Sequence, residues 1–144
     1  MATDRHAEVS WEGNLMDGSG RIERVGTGAF GPLDVSWPAR AEEPGDLTSP
    51  EELIAAAHAA CFSMALAGEL AQGGNPPERL DARADVTFVP GTGITEIGLT
   101  VRGRVPGLDE SAFREAAESA KANCPVSQAL AAVPEITLDA ALAR

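Results

Sequence analysis

Hydrophobic and polar positions change period several times along this chain, and each change marks an element. Val9 and Trp11 alternate with Glu8, Ser10 and Glu12, the pattern of a half-buried strand. Weaker alternation predicts strands over Arg21 to Val25 and Leu33 to Trp37. From Pro50 the pattern turns helical. Ser49 is a good N-cap, Pro50 suits the first helical position, and Glu52 completes an S-x-x-E capping box. The helix is expected to stop near Gly68 or shortly after, with Gly73-Gly74 ending all helical character. Period two then returns in Ala82, Ala84, Val86 and Phe88. After a turn at Gly91–Gly93 it resumes in Ile97, Leu99 and Val101, so the pair reads as a hairpin with one wet face. Leu108 to Asn123 is helical, capped by Asp109 or Ser111. Pro125 opens a short helix to Ala132, and Ile136, Leu138 and Ala140 mark a last strand. This order predicts one α+β domain over residues 1–144.

One segment asks for more than its own chain can give. Leu53 to Ala67 is apolar around its whole circumference apart from His58 and Ser63, so it must be buried on every side. A small sheet covers only one face of a helix. A second copy is the simplest cover for the other, and Ala55, Ala56, Ala57, Ala59 and Ala60 would allow close contact there. An obligate homodimer is therefore expected.

Composition narrows the partners. The net charge is −11, from 22 acidic against 11 Lys and Arg side chains, and the basic residues are scattered singly. Such a surface repels phosphate backbones, so nucleic acid is excluded as a partner and small molecules are favoured. Met1 to Glu12 lacks the apolar core of a signal peptide, and Leu53 to Ala67 is too short to span a bilayer; a cytoplasmic protein with no membrane partner is expected. In a reducing compartment, two cysteines 63 positions apart (61 to 124) are either buried filler or redox chemistry.

The candidate chemistry centres on those thiols. Cys61 is mid-helix and draws nothing from a helix dipole, so lowering its pKa requires a cation from elsewhere. Cys124 precedes Pro125 and sits where a helix N-terminus favours a thiolate. Local rules thus rank Cys124 above Cys61 as the nucleophile. His58 shares a helix face with Cys61 and reads either as its base or as a hydrogen-bonded core histidine. A zinc site from His58, Cys61 and Cys124 would lack familiar ligand spacing, and no metal or cofactor is expected. Capping accounts for Glu52 but leaves Glu51 free, and Arg40 lies in a Pro-flanked loop just upstream.

Taken together, these residues resemble a known family. Ser49-Pro50-Glu51-Glu52-Leu53-Ile54-Ala55-Ala56-Ala57-His58-Ala59-Ala60-Cys61-Phe62-Ser63-Met64 is similar to the signature of the OsmC/Ohr thiol peroxidases. Cys124-Pro125-Val126-Ser127-Gln128-Ala129-Leu130 is similar to their second motif. Trp11-Glu12-Gly13 and Glu135-Ile136-Thr137-Leu138-Asp139 extend the likeness over nearly the whole chain; His58, Ser63-Met64 and Val126 place it nearer the OsmC branch. The resemblance implies an intertwined α+β homodimer, with antiparallel sheets around a long central buried helix. It implies reduction of organic hydroperoxides by Cys61 as peroxidatic and Cys124 as resolving cysteine. Glu51 and Arg40 match the family's carboxylate and arginine. The Arg40 spacing to Pro50 is one residue longer than usual, which leaves Arg21 or Arg24 as substitutes. A dithiol, such as a lipoylated protein, would restore the thiols, and an apolar wall including Phe62 would favour alkyl or aryl hydroperoxides. Two readings compete with this one: a non-catalytic dimeric carrier of an apolar ligand, and a thiol redox sensor.

Overall fold

The computed structural model describes residues 1–143. Contacts cluster into two compact units, Met1 to Leu53 and the chain from Ile54 onward.

The first unit is built on a small antiparallel sheet. Strand β1 (Ala7–Glu12) pairs with β2 (Ser19–Val25), which pairs with the short β3 (Leu33–Val35). β1 departs from expectation: every residue is exposed, with Val9 at 62% and Trp11 at 42%, so its alternation marks a face that the described residues leave largely open. The third strand also ends early. Ser36 turns the chain by accepting the Ala39 N–H at 3.2 Å, and with Pro38 near the start the segment Trp37–Ala41 becomes a helix, α1. Arg40 thus sits on a helix rather than in a loop.

Helix α2 (Pro50–Gln72) links the units. Its start is the predicted one: Ser49 Oγ accepts the Glu52 N–H at 3.1 Å. The Glu52 carboxylate accepts from the Thr48 hydroxyl at 2.9 Å, a contact outside the expected capping box. Gly68 does not stop the helix. It ends where Gly73 and Gly74 wrap back on Glu69 and Ala71 and Asn75 N–H reaches Leu70 O, with Gly74 at φ 90°. At 23 residues α2 is long and apolar enough to cross a membrane, contrary to the estimate from Leu53 to Ala67. However, His58, Phe62, Leu66 and Leu70 recur every four residues and are buried in protein, as in a core helix. The opposite side is bare: Ala56, Ala57, Ala60 and Gly68 are exposed, and Met64 is 75% exposed. Burial on all sides is therefore not achieved within one chain.

In the second unit β4 (Arg79–Val89) and β5 (Gly93–Arg104) form the predicted hairpin, and β6 (Glu135–Leu142) lies on the other side of β5. β6 runs parallel to β5, so the expectation of antiparallel sheets holds only in part. Parallel pairing needs a crossover, supplied by α3 (Glu110–Asn123) and α4 (Pro125–Ala129). Asp109, not Ser111, caps α3, accepting the Ala112 N–H at 2.8 Å. α4 stops three residues short of Ala132. Phe62, Leu66 and Leu70 pack with Leu99 and Val101 of β5 and with Phe113, Ala117 and Ala120 of α3. Cys124 extends the α3 stripe into this core.

The Phe113 ring occupies the space above Gly103, where an added Cβ would lie 2.6 Å from two ring carbons. Phe113 is fully buried and has nowhere to retreat. Gly103→Ala should lower stability by about 1–3 kcal/mol through overpacking, read as a drop in the urea midpoint at fixed protein concentration.

Candidate active site

Two groups of predicted site residues come together, each inside one unit. In the first, Glu51 opens α2 and is buried to 7% exposure. Its carboxylate takes a bidentate grip from Arg40, with Nε at 3.0 and 3.2 Å and Nη2 at 2.8 Å. The fork geometry makes this the strong kind of ion pair. The guanidinium also lies 6.0 Å from the Trp37 ring centroid. Arg21 and Arg24, the substitutes, are committed elsewhere: Arg21 to Asp34 at 2.9 Å and Arg24 to Glu8, both on the exposed sheet.

In the second group, the chain positions two thiols from two helices. Cys61 follows the buried stripe of α2 at its edge and is partly open. Cys124 is fully buried at the junction of α3 and α4. Pro125 forces the residue before it out of helical geometry, and Cys124 has φ −61° and ψ 122°. α3 must stop there and α4 must begin, so first-turn N–H groups of α4 are left facing the sulfur.

The two thiols are near enough to shift each other's ionisation, and the pair is electrostatically lopsided. Burial, and next the Cys124 sulfur beside it, pushes the Cys61 thiol up, only partly offset by the Val126 N–H. Burial alone would also push Cys124 up. The Ser127 N–H, the Cys61 thiol, the Ser127 hydroxyl and the Val126 N–H reverse that and bring it below the ordinary cysteine value. No strict capping hydrogen bond closes the α4 turn, but these donors point closely enough to favour charge on the sulfur. Of the two, Cys124 is therefore the sulfur that ionises more readily and Cys61 the one that keeps its proton longer.

His58, one turn before Cys61, is not its base. Its Nε2 lies 2.7 Å from Ser127 Oγ, both groups are buried, and burial pushes the imidazole below its usual value, keeping it neutral. Ser127 belongs to the second motif, but the sequence pattern alone assigns it no role. The available signal was a hydroxyl three residues after Cys124 in a first helical turn. Phe62 points into the core at 0% exposure and cannot wall a substrate pocket. Among the described residues no three His, Cys, Asp or Glu side chains cluster as metal ligands would.

A coupled pair gives a two-step titration whose apparent values belong to the pair. Thiolate absorbance of the reduced protein should show one step below and one above an ordinary cysteine. Cys124→Ser should move the remaining Cys61 step down, because it removes a neighbouring negative sulfur. Cys61→Ala should move the Cys124 step up, because it removes a donor. Two independent, unshifted steps would contradict the coupling.

Comparison with known proteins identifies the chain's relatives. Residues 43–139 match the family model described as OsmC-like protein. The peroxiredoxin OsmC of Escherichia coli (strain K12) is 43% identical over 143 residues, covering 96% of each chain. An organic hydroperoxide resistance protein of Xanthomonas axonopodis pv. citri (strain 306) is 34% identical over 100 residues, 65% of this chain and 67% of its own. The fold superposes on an organic hydroperoxide resistance protein from Elizabethkingia anophelis with a TM-score of 0.71 at 23% identity, covering 99% of this chain and 100% of that one. An OsmC like protein from Mycoplasma pneumoniae gives a TM-score of 0.70 at 16% identity, with coverage of 99% and 100%. With the family model matched over most of its length and a relative aligned nearly end to end, the chain belongs to the OsmC-like protein family.

Proposed function

We propose that this chain is a cysteine-dependent peroxidase that reduces organic hydroperoxides to alcohols, with Cys61 attacking and Cys124 resolving. The observation that carries the reading is the meeting of the chain's two thiols, 63 positions apart (61 to 124), at the edge of one core. The names of the relatives, a peroxiredoxin and hydroperoxide resistance proteins, point to the same chemistry. Cys61 is the partly open sulfur and Cys124 the fully buried one, which favours Cys61 as the thiol a substrate can reach.

The cycle takes up two protons, one on the departing alkoxide and one on the departing hydroxide, supplied by the thiols and by solvent. The Cys61 thiolate attacks the peroxide, an S–O bond forms as O–O breaks, and the alkoxide leaves as alcohol after taking a proton. Cys61 is then a sulfenic acid. Cys124 attacks its sulfur, S–S forms as S–O breaks, and hydroxide leaves as water. A dithiol, small or carried on a lipoylated protein, reduces the disulfide by exchange in the cytoplasm.

The first step needs the proton to leave Cys61, against the resting preference of the pair. A guanidinium beside Cys61 would reverse that preference, since an opposite charge within a few ångströms favours the ionised form. Arg40 is the candidate, held by Glu51. Glu51 and Cys61 are ten positions apart on α2, about 15 Å along its axis. We therefore assign the Arg40–Glu51 pair of one copy to the cysteines of the other, in a homodimer that covers the bare α2 face around Ala56, Ala60 and Met64.

Stopped-flow oxidation by cumene hydroperoxide tests the cycle. Cys61→Ser should abolish the reaction. Cys124→Ser should react once and then stall or over-oxidise, gaining oxygen by intact mass, whereas the wild type loses two hydrogens. Peroxide consumption that survives Cys61→Ser would overturn the assignment. Complementation tests the exchange between copies. Arg40→Gln and Cys61→Ser proteins, each inactive alone, should regain activity when refolded together, because the mixed dimer holds one intact site only if Arg40 acts on the other copy. Continued inactivity in a verified mixed dimer would place both residues in one chain's site.

A further inference from the structure

The mechanism above leaves one buried polar group unused. His58 and Ser127 are both more than nine-tenths buried and meet at 2.7 Å, yet His58 Nδ1 is buried with no hydrogen-bond partner. A core histidine kept only for packing has no need of an orphaned ring nitrogen. The orphan does, however, fix the direction of the contact. The ring is neutral, so it carries one N–H. A proton on Nδ1 would bury a donor with no acceptor, the rarer and costlier kind of orphan. It would also draw the Ser127 hydroxyl hydrogen toward Nε2. With the proton on Nε2, His58 donates to Ser127 Oγ and the serine O–H is free to turn to its other neighbour, the Cys124 sulfur. The arrangement repeats on both helices: His58 precedes Cys61 by three residues on α2, and Ser127 follows Cys124 by three at the start of α4.

We infer that His58, Ser127 and Cys124 form a one-way hydrogen-bond relay, His58 Nε2–H to Ser127 Oγ–H to Cys124 Sγ, that readies Cys124 as the resolving nucleophile. Ser127 acts on the reacting sulfur itself, and His58 is the positioning residue that orients Ser127. The relay serves the second step of the proposed cycle and presupposes that reading. There Cys124 gives two electrons to the Cys61 sulfenic sulfur, the S–S bond forms as S–O breaks, and the released hydroxide becomes water. The titratable groups in the network are His58, Cys61 and Cys124. Stabilising the thiolate both raises its population and blunts its nucleophilicity. About a tenfold gain in population costs about threefold in intrinsic reactivity, so the net gain near neutrality is about threefold and reverses at high pH.

Two measurements test the relay. In a Cys61→Ala background, which cannot form the disulfide, Ser127→Ala should raise the Cys124 thiolate titration by about one pH unit, about tenfold in the ionisation constant. His58→Leu should do the same, and His58→Gln, with an amide nitrogen near the Nε2 position, should recover part of the shift. In the otherwise wild-type protein, disulfide closure after one equivalent of cumene hydroperoxide is followed by quenched intact mass across pH. Ser127→Ala should slow closure about threefold more than it slows Cys61 oxidation near neutral pH, and should match or exceed the parent at high pH. An unmoved Cys124 titration, or closure slowed equally at every pH as by a packing defect, would overturn the relay. A wild type that forms no disulfide overturns the peroxidase reading and the relay's role together; one that does, with variants that behave like it, overturns the relay alone.

Discussion

The approach of two sulfurs from different helices is the constraint on which the rest of this structure turns. It is set by packing. The α2 stripe of His58, Phe62, Leu66 and Leu70 and the α3 stripe of Phe113, Ala117 and Ala120 share one core with Leu99 and Val101 of β5. Cys61 rides at the edge of the first stripe and Cys124 continues the second. Close packing fixes both to within the small tolerances a dense interior permits. Once the sulfurs are held together in a poorly solvated place, they cannot both ionise cheaply, and one of them holds its proton longer than the other. Which sulfur keeps it is decided by the neighbours: the donors of Val126 and Ser127 stand on the Cys124 side.

Much of this was legible in the chain because capping and period are local properties. Ser49 and Asp109 mark helix starts through hydrogen bonds that span three residues, Pro50 marks one through its fixed φ, and the structure has them there. The alternation in Ala82 to Phe88 and Ile97 to Val101 likewise fixes faces. Alternation cannot fix direction, however, which is why Ile136, Leu138 and Ala140 gave a strand without revealing that it runs parallel to β5. Trp37 was placed in a strand because one apolar residue after Leu33 and Val35 extends a period of two. Ser36 and Pro38 act through cap geometry and won. Gly68 failed as a stop for a related reason: on a continuous helix a single glycine costs only about 1 kcal/mol, less than the packing of Leu66 and Leu70 on either side of it.

The site was legible in its thiols and less so in their surroundings. Cys61 and Cys124 stood out by residue type, and the local preference for charge on Cys124 matches the donors found around it. Ser127 was not visible as a functional residue, since one hydroxyl in a short helix has many ordinary uses. Its meaning depends on His58, which is 69 positions away in sequence and reaches it only through the fold. The Arg40–Glu51 pair was half legible: the free carboxylate was apparent, but its bidentate hold on a helical arginine required coordinates.

The bare face of α2 and the lopsided thiol pair are connected through one residue. Cys61 sits at the margin between the buried stripe and the exposed side that carries Ala56, Ala60 and Met64. A substrate reaching its sulfur must come across that side. Left open to water, the approach would be apolar yet fully solvated, and a cation placed there would be screened almost to nothing. Covered by a second copy, the same surface would become a dry channel in which one guanidinium outweighs the donors on Cys124. The apolar composition of α2 and the electrostatic disadvantage of Cys61 are thus two sides of one requirement. On the proposed reading, the helix that displays the thiol would also recruit the chain that activates it.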